Sequence, residues 1–405
     1  MPYLLSLPAR INILGNPSDG NEGDFATISA AVNIHAYAFV EPAECLVLES
    51  VGYTPITTAS SHNNGIPLTN LTTSDPLCTH LQSQKRLEYP QSDLPLPYTG
   101  ELDLLKGAVN RLYQYSSEFR EKYKIQGIRI AIWSEVPRQS GLGGSSLFVL
   151  LTLAGLRTYY QLDPWFHNDF FLAELTQRVE GLELGITCGF ADRYVPLFGG
   201  LAYLDYRGKL HHREIGQEPL VTYERLDNWV SDLPLVAITT GIQHDSGDVH
   251  GRMRPRYLEE HATWETQGGE MPAMLRFMQA AWETAWRGKI SLLIRDWKAF
   301  GEQMNINHHI VDSMMTYCGF SDGAGWANNL FIEAALKNGA LGAKLTGAGS
   351  GGSVFALTWP GEEYKLEDIW LREARQAGLE NIHIFRPKIS REGLIVKNID
   401  PINNL

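Results

Sequence analysis

The sequence PRQSGLGGSS, residues 137–146, forms a glycine-rich turn between two apolar segments. Residues 128–133 before it are typical of a strand, and the run SLFVLLTLAGL after it is apolar on nearly all sides, which predicts a buried helix. Gly141, Gly143 and Gly144 leave the backbone open to a ligand, and the first N–H groups of a helix have no partners within it. Such a turn can hold phosphate. The alternative is a tight connection without a ligand.

This turn is not a Walker loop, because GxxxxGK[ST] requires a lysine that is absent here. A second glycine-rich segment, GAGSGG at residues 347–352, formally fits GxGxxG. The dinucleotide motif requires a helix after its last glycine, whereas the following SVFAL is typical of a strand. We therefore reject a Rossmann site. We expect a turn between two strands whose backbone can approach a phosphoryl group.

Two carboxylates follow the first glycine-rich turn: Glu180 on a predicted helix, and Asp192 in GITCGFADRYVPLFGG. Phosphoryl transfer needs an oxygen ligand for Mg²⁺ and a group that orients or deprotonates the attacking hydroxyl, and two carboxylates in one cleft can divide these tasks. Each alone is more often a solvated charge. Their proximity to the glycine-rich turn favours the functional interpretation.

The composition limits the classes of partner. The chain has 405 residues, which predicts two domains, possibly three, and its formal net charge of −12 argues against a basic surface for nucleic acid or an anionic membrane. The four cysteines form no C-x-x-C pair, and no segment approaches 18 uninterrupted apolar residues. We expect a cytoplasmic protein with reduced thiols; the composition leaves its oligomeric state open.

The remaining patterns predict alternating strands and helices. Residues 1–50 indicate several strands, and residues 52–93, rich in Thr, Ser, Asn and Pro, indicate an excursion of loops and short hairpins. The basic run Arg252-Met-Arg254-Pro-Arg256 is either a solvated turn or a contact for an anionic substrate. Helices are expected at residues 102–123, 170–184, 274–304, 305–315 and 325–338.

Three segments together resemble the motifs of the GHMP kinases, the family of galactokinase, homoserine kinase, mevalonate kinase and phosphomevalonate kinase. They are PARINILGNPSD (residues 8–19), GLGGSS (residues 141–146) and KLTGAGSGG (residues 344–352). Within the family the likeness is greatest to the glucuronokinases, which share strings similar to PRQSGL at residue 137 and DSGDVH at residue 245. Gly144 and Ser146 depart from the common pattern, which has Ser and Ala there.

The resemblance implies an α+β fold of two domains, residues 1–215 and 216–405. The first would be an α/β domain with a left-handed βαβ crossover. The second would be a ferredoxin-like α+β domain. ATP and substrate would then bind in the cleft between them.

The resemblance also implies roles for individual residues. ATP would lie on the backbone of the two glycine-rich segments, with Mg²⁺ held by Glu180 and Ser145, or Ser146 as the alternative. Asp192 would accept or orient the sugar 1-hydroxyl, and Arg10 would keep Asp192 ionised. The ATP-binding residues would be Gly141, Leu142, Gly143, Gly144, Ser145, Ser146, Gly347 and Gly349; the substrate-binding residues would be Asn16, Asp19, Arg193 and Thr346.

Several functions are compatible with these motifs. A 1-kinase for a uronic acid such as glucuronate is the preferred hypothesis, a 1-kinase for a neutral sugar is the next, and other GHMP kinases follow. A lyase is a third class, because diphosphomevalonate decarboxylases share the fold. A binding protein without activity would be expected to have lost Glu180, Asp192 or the glycines, and all are present.

Overall fold

The computed structural model describes residues 1–21, 25–52, 82–209, 214–242, 246–347 and 349–399. Within these residues the chain forms two β-sheets. The strands are β1 (Tyr3–Leu14), β2 (Ala26–Ala43), β3 (Leu46–Gly52), β4 (Gln82–Tyr89), β5 (Gly127–Ser134), β6 (Leu201–Asp205), β7 (Thr222–Arg225), β8 (Leu235–Thr239), β9 (Gly342–Thr346), β10 (Ser353–Leu357), β11 (His383–Phe385) and β12 (Ile395–Asn398).

Ten α-helices in the described residues accompany the sheets. They are α1 (Asp103–Tyr115), α2 (Ser117–Tyr123), α3 (Gly144–Tyr159), α4 (Asp169–Arg178), α5 (Ala191–Phe198), α6 (Ser246–Gln267), α7 (Ala273–Leu293), α8 (Trp297–Tyr317), α9 (Trp326–Lys337) and α10 (Glu363–Gln376). None of the helices in these ranges combines the length and apolarity that a membrane span requires.

The larger sheet has the strand order β12-β1-β2-β5-β3-β4, and β6 and β7 extend from β2. Only β3 and β5 pair in parallel among these strands. The long strand β2 organises the sheet, because it pairs with β1 along much of its length, with β5 at one end and with β6 at the other. Helix α3 packs on β1, β2 and β5, as its apolar sequence predicts.

The smaller sheet has four antiparallel strands in the order β11-β8-β10-β9. Helices α9 and α10 pack on it around a core that includes Phe331 and Trp370. In chain order these elements give the 4-1-3-2 arrangement of a ferredoxin-like sheet, and the expected α+β class is confirmed. The division of the chain at residue 215 remains a prediction; β7 and β12, which follow it in sequence, pair within the larger sheet.

Two helix boundaries differ from the sequence prediction. The expected helix 102–123 is interrupted at Ser116, whose extended backbone and side chain cap α2 by accepting a hydrogen bond from the Phe119 N–H. The expected junction at 304–305 is wrong, because the chain turns between α7 and α8 at Arg295, where φ is +59°. Asp296 then caps α8.

Helix α6 was not predicted, and one of the two alternatives for residues 252–256, a solvated turn, is wrong. This segment is helical even though Pro255 lies inside it. Ion pairs one turn apart, Arg252 with Asp248 and Arg256 with Glu260, support the helix from its surface. In the predicted excursion, Gln82–Tyr89 forms β4 and pairs with β3, while residues 53–81 lie outside the described part of the chain.

Helix α8 and strand β9 touch through two glycines. A Cβ atom at Gly301 would lie 2.5 Å from the Leu341 carbonyl, and one at Gly342 would lie 2.3 Å from the Gly301 oxygen. This close approach sets the position of β9, and β9 leads directly into the second glycine-rich segment.

We expect Gly301→Ala to lower the free energy of unfolding by about 1–3 kcal/mol, the usual cost of overpacking. Denaturant unfolding provides the measurement. Gly251→Ala in α6 is the matched control, because no atom of the described residues lies within 4 Å of its added Cβ, and alanine is the better helix former. If both variants have wild-type stability, the contact between α8 and β9 is looser than described.

Candidate active site

The first glycine-rich turn joins β5 to α3 and lies against the second glycine-rich segment. Gly141 and Gly143 have φ values of +73° and +87°, which favour glycine. A Cβ atom at Gly141 would lie 2.7 Å from the Thr346 carbonyl oxygen. No side chain of the described residues caps α3 at Gly143. Its first N–H groups are therefore available to an anion.

An ion pair connects β1 to α5 beside this turn. The Arg10 guanidinium donates from Nε and Nη2 to the two oxygens of Asp192, each at 2.5 Å. Its Nη1 donates to the Gly141 carbonyl, also at 2.5 Å. One buried guanidinium thus holds a carboxylate and the glycine-rich turn in a fixed relation.

The charges around Asp192 keep it ionised. Burial alone would raise the pKa of Asp192, but the paired Arg10 guanidinium reverses this effect and lowers it well below the usual range. Arg193, 3.8 Å away, lowers the pKa further. Asn12 adds a hydrogen bond from Nδ2 to Oδ1 at 3.3 Å. The side chain keeps 24% of its area exposed and lines the cavity.

Glu180 lies on a wider helical turn, Val179–Glu183, that continues α4. Ser145 donates to its Oε1 at 2.8 Å and Ser146 to its Oε2 at 3.0 Å, while Arg193 pairs with Oε2 from the other side. The serine hydroxyl oxygens and the Glu180 carboxylate oxygens are the ligand types that suit Mg²⁺. The residues therefore fit the expected cation, and both serines remain candidates to bind it.

Two of the predicted substrate-binding residues hold parts of the backbone in place. The Asp19 carboxylate accepts hydrogen bonds from the N–H groups of Phe190 and Ala191, each at 3.0 Å. Burial and the nearby Asp192 raise the pKa of Asp19. The Thr346 hydroxyl accepts from the Asn12 N–H at 3.1 Å. Both contacts fix the elements that carry Arg10 and Asp192.

A cavity of about 620 Å³ collects most of the predicted residues. Four predicted residues are buried and do not line it: Leu142, Ser146, Thr346 and Gly349. Arg193 lines the cavity, but its guanidinium is already engaged by Glu180 and the Gly189 carbonyl. The predicted residues on the wall are Arg10, Asn16, Asp19, Gly141, Gly143, Gly144, Ser145, Glu180, Asp192, Arg193 and Gly347.

The cavity also has residues to which the sequence analysis gave no role. Leu104, Val136 and Phe148 contribute apolar surface, and Gly247 and His250 come from the start of α6. The apolar residues belong to three separate elements and follow no motif. His250 ends the string DSGDVH, which is similar to a glucuronokinase segment. This similarity was the only feature of the sequence that could have pointed to His250.

Two family models match separate parts of the chain. The one described as GHMP kinases N terminal domain covers residues 103–200, and the one described as GHMP kinases C terminal covers residues 328–375. The first match contains the turn at 137–146, Glu180 and Asp192. The second contains the glycines at 347–352.

Named relatives align with much of the chain. Glucuronokinase 1 of Arabidopsis thaliana is 30% identical over 381 residues, which is 91% of this chain and 88% of that protein. A galactokinase of Thermococcus kodakarensis is 27% identical over 262 residues, which is 60% of this chain and 68% of that protein. The structure of Lactococcus lactis galactokinase complexed with galactose shares the fold, with a TM-score of 0.70, 17% identity, and coverage of 97% of this chain and 95% of that one.

The Arg193–Glu180 pair generates a prediction about stability. Both side chains are 1% exposed, so Arg193→Met leaves a buried carboxylate without its cation. We expect the free energy of unfolding to fall by about 3–5 kcal/mol. Adding Glu180→Gln should restore part of this loss, because the unpaired charge is then removed.

Urea denaturation provides the measurement for all variants. Arg386→Met is the control, since its pair with Glu367 is largely exposed, at 48% and 29%, and such pairs contribute about 1 kcal/mol or less. Equal losses in the Arg193 and Arg386 variants would contradict the assignment of a buried, coupled pair.

Proposed function

Since the chain belongs to the GHMP kinase family, whose members use ATP as the phosphoryl donor, we propose that it transfers the γ-phosphoryl group to the 1-hydroxyl of a uronic acid such as glucuronate. Its named relatives support the coarser part of this assignment, an ATP-dependent sugar kinase. The observation that carries the proposal is the Arg10–Asp192 pair, which faces the glycine-rich turn within one cavity.

Asp192 would orient the attacking hydroxyl. A carboxylate whose pKa is so low is a weak base, so its main task is to accept the hydrogen bond of the sugar 1-hydroxyl. As the hydroxyl oxygen bonds to the γ-phosphorus, the bond from phosphorus to the bridging oxygen of ADP breaks. The hydroxyl becomes strongly acidic as its oxygen bonds to phosphorus, so even this weakly basic carboxylate can take the proton, which it then releases to solvent. Arg10 then offsets charge on the transferring group.

The lining of the cavity has groups that suit both parts of the nucleotide. The N–H groups at the start of α3 would hold the phosphates, and the apolar surface of Leu104, Val136 and Phe148 would accept the base. Mg²⁺ would be held by Glu180 with Ser145, or with Ser146 as the alternative. When bound, the ion would offset the negative charge of the β- and γ-phosphates.

Arg138 supports an anionic substrate. Three arginines line the cavity: Arg10, Arg138 and Arg193. Arg10 is engaged by Asp192 and Arg193 by Glu180. Arg138 is exposed and forms no hydrogen bond or ion pair with the described residues. A buried sugar carboxylate needs such a partner, and a guanidinium can bind it with two parallel hydrogen bonds. The cytoplasm remains the proposed compartment.

The first prediction concerns pH. In Arg10→Gln the burial of Asp192 remains while its cationic partner is lost, so the pKa of Asp192 rises and the carboxylate protonates at higher pH. We expect the acidic limb of kcat/KM to move toward neutral pH. Rate profiles from mildly acidic to mildly alkaline pH provide the measurement.

Asp192→Asn is the control, because it removes the titrating group. Its rate should fall roughly 10²-fold or more, and the acidic limb that Asp192 causes should disappear. An acidic limb that stays in place in Arg10→Gln would show that Arg10 does not control the ionisation of Asp192.

The second prediction tests the substrate. We expect wild type to prefer glucuronate to glucose, and Arg138→Gln to reduce the ratio of the two kcat/KM values by about 10-fold or more, which corresponds to about 1.4 kcal/mol. Coupled ADP release gives the rates. NMR of the product identifies the phosphorylated position.

Arg252→Gln is the matched control, because Arg252 pairs with Asp248 on the surface of α6, outside this cavity. If wild type prefers glucose, the proposed substrate becomes a neutral sugar instead of a uronic acid. A higher KM for ATP in Arg138→Gln, with an unchanged ratio, would assign Arg138 to the nucleotide.

A further inference from the structure

Lys344 is a fully buried lysine that the proposed chemistry does not use. It lies on β9 with 0% exposure, and its Nζ is 5.4 Å from the centre of the Phe355 ring. Burial lowers the pKa of Lys344 to about 7. It forms no ion pair within the described residues, and burial lowers the pKa of the neighbouring His308 to about 4, so that imidazole is neutral. Removing an ammonium group from water is costly unless it is well paired.

Three oxygens surround this ammonium group. Lys344 donates to the Asn16 side-chain Oδ1 at 2.7 Å, to the Leu345 carbonyl at 2.9 Å and to the Asn12 carbonyl at 3.3 Å. The shortest of these contacts crosses from the smaller sheet to the segment that follows β1. Lys344 therefore connects the second glycine-rich segment to the one that carries Asn16 and Asp19.

The contact with Lys344 fixes which way the Asn16 amide points. A lysine ammonium group only donates, so the atom that faces it must be the amide oxygen. The Asn16 Nδ2 then points the other way and donates to the Gly347 carbonyl at 3.3 Å. Asn307 holds the backbone on both sides of this residue, through the Asn16 carbonyl at 3.2 Å and the Gly15 N–H at 3.1 Å.

Asn16 and Gly347 both line the cavity that contains Asp192. The amide NH₂ group has two hydrogens, and Gly347 takes one of them. The second is available to a ligand oxygen. A reversed amide would instead place an acceptor there and repel the oxygens of a phosphoryl group or an anionic sugar.

We propose that Lys344 is a positioning residue that orients the Asn16 amide, so that the cavity has an N–H donor where the sugar and the transferring phosphoryl group meet. This role rests on the proposed sugar kinase activity. It does not depend on whether the sugar is a uronic acid. Lys344 itself touches neither reactant.

The test uses the full-length enzyme and the sugar that wild type phosphorylates fastest, so a failure of the uronic acid assignment leaves it intact. Lys344→Met should reduce kcat/KM for the sugar by about 10-fold or more, since a small misplacement of a binding group can cost up to about 10²-fold. The affinity for ATP, measured by calorimetry, should change much less. Lys106→Met is the matched control: this buried lysine on α1 donates to Thr99 and the Pro97 carbonyl, and its loss should not alter the sugar kinetics.

A double-mutant cycle separates orientation from general support. If Lys344 acts through Asn16, then Lys344→Met should cost far less in an Asn16→Ala background than in wild type. Equal costs in both backgrounds would overturn the proposal. Equal losses of sugar kinetics in Lys344→Met and Lys106→Met would do so as well.

Asn16→Asp provides a variant that does not depend on the folding of Lys344→Met. The new carboxylate keeps a partner for Lys344, but it replaces the donor Nδ2 with an acceptor oxygen. We expect a native circular dichroism spectrum and a lower thermal midpoint, because the new oxygen faces the Gly347 carbonyl, together with a loss of kcat/KM for the sugar similar to that of Lys344→Met. Near wild-type sugar kinetics in Asn16→Asp would show that the cavity needs no donor at this position.

Discussion

The bidentate pair between Arg10 and Asp192 is the interaction on which the geometry of the cavity depends. It joins the first strand of the chain to helix α5, and the same guanidinium holds the carbonyl of Gly141. Asn12, two residues after Arg10, binds Asp192 as well and accepts the Ser29 hydroxyl at its own Oδ1. A strand that is buried along its length therefore carries the polar groups that define the reacting centre.

The cavity balances its charges locally in a chain whose formal net charge is −12. Asp19 is satisfied by backbone N–H groups, Asp192 by Arg10 and Glu180 by Arg193. Each carboxylate thus has its own partners before any ligand binds. In the proposed reaction a polyanionic nucleotide would meet backbone N–H groups at the start of α3, and the unengaged Arg138 would face the sugar carboxylate.

Local patterns allowed the prediction of local features. The strand, glycine-rich turn and buried helix around residues 137–146 follow from their spacing and apolarity. Contacts between distant segments could be predicted only from the family resemblance. Arg10 and Asp192, for example, are 182 residues apart, and no periodicity connects them. Helix α6 was missed because Pro255 and its charged residues oppose the usual helical pattern, and only its ion pairs and tertiary packing offset them. Two partners of Lys344, Asn12 and Asn16, are 332 and 328 residues away in sequence, and no local pattern can show such contacts.

The pairing of β12 with β1 has a consequence for the order in which the protein folds. Tyr3 to Ser6 pair with Ile395 to Asn398, so one edge of the strand that carries Arg10 is completed only by residues very distant in sequence. During synthesis this edge stays open until residues 395–398 have left the ribosome. Contacts between residues so distant in sequence are slow to form. The edge of β1 opposite β2 must therefore remain unpaired until then, and an exposed strand edge is where nascent chains associate wrongly.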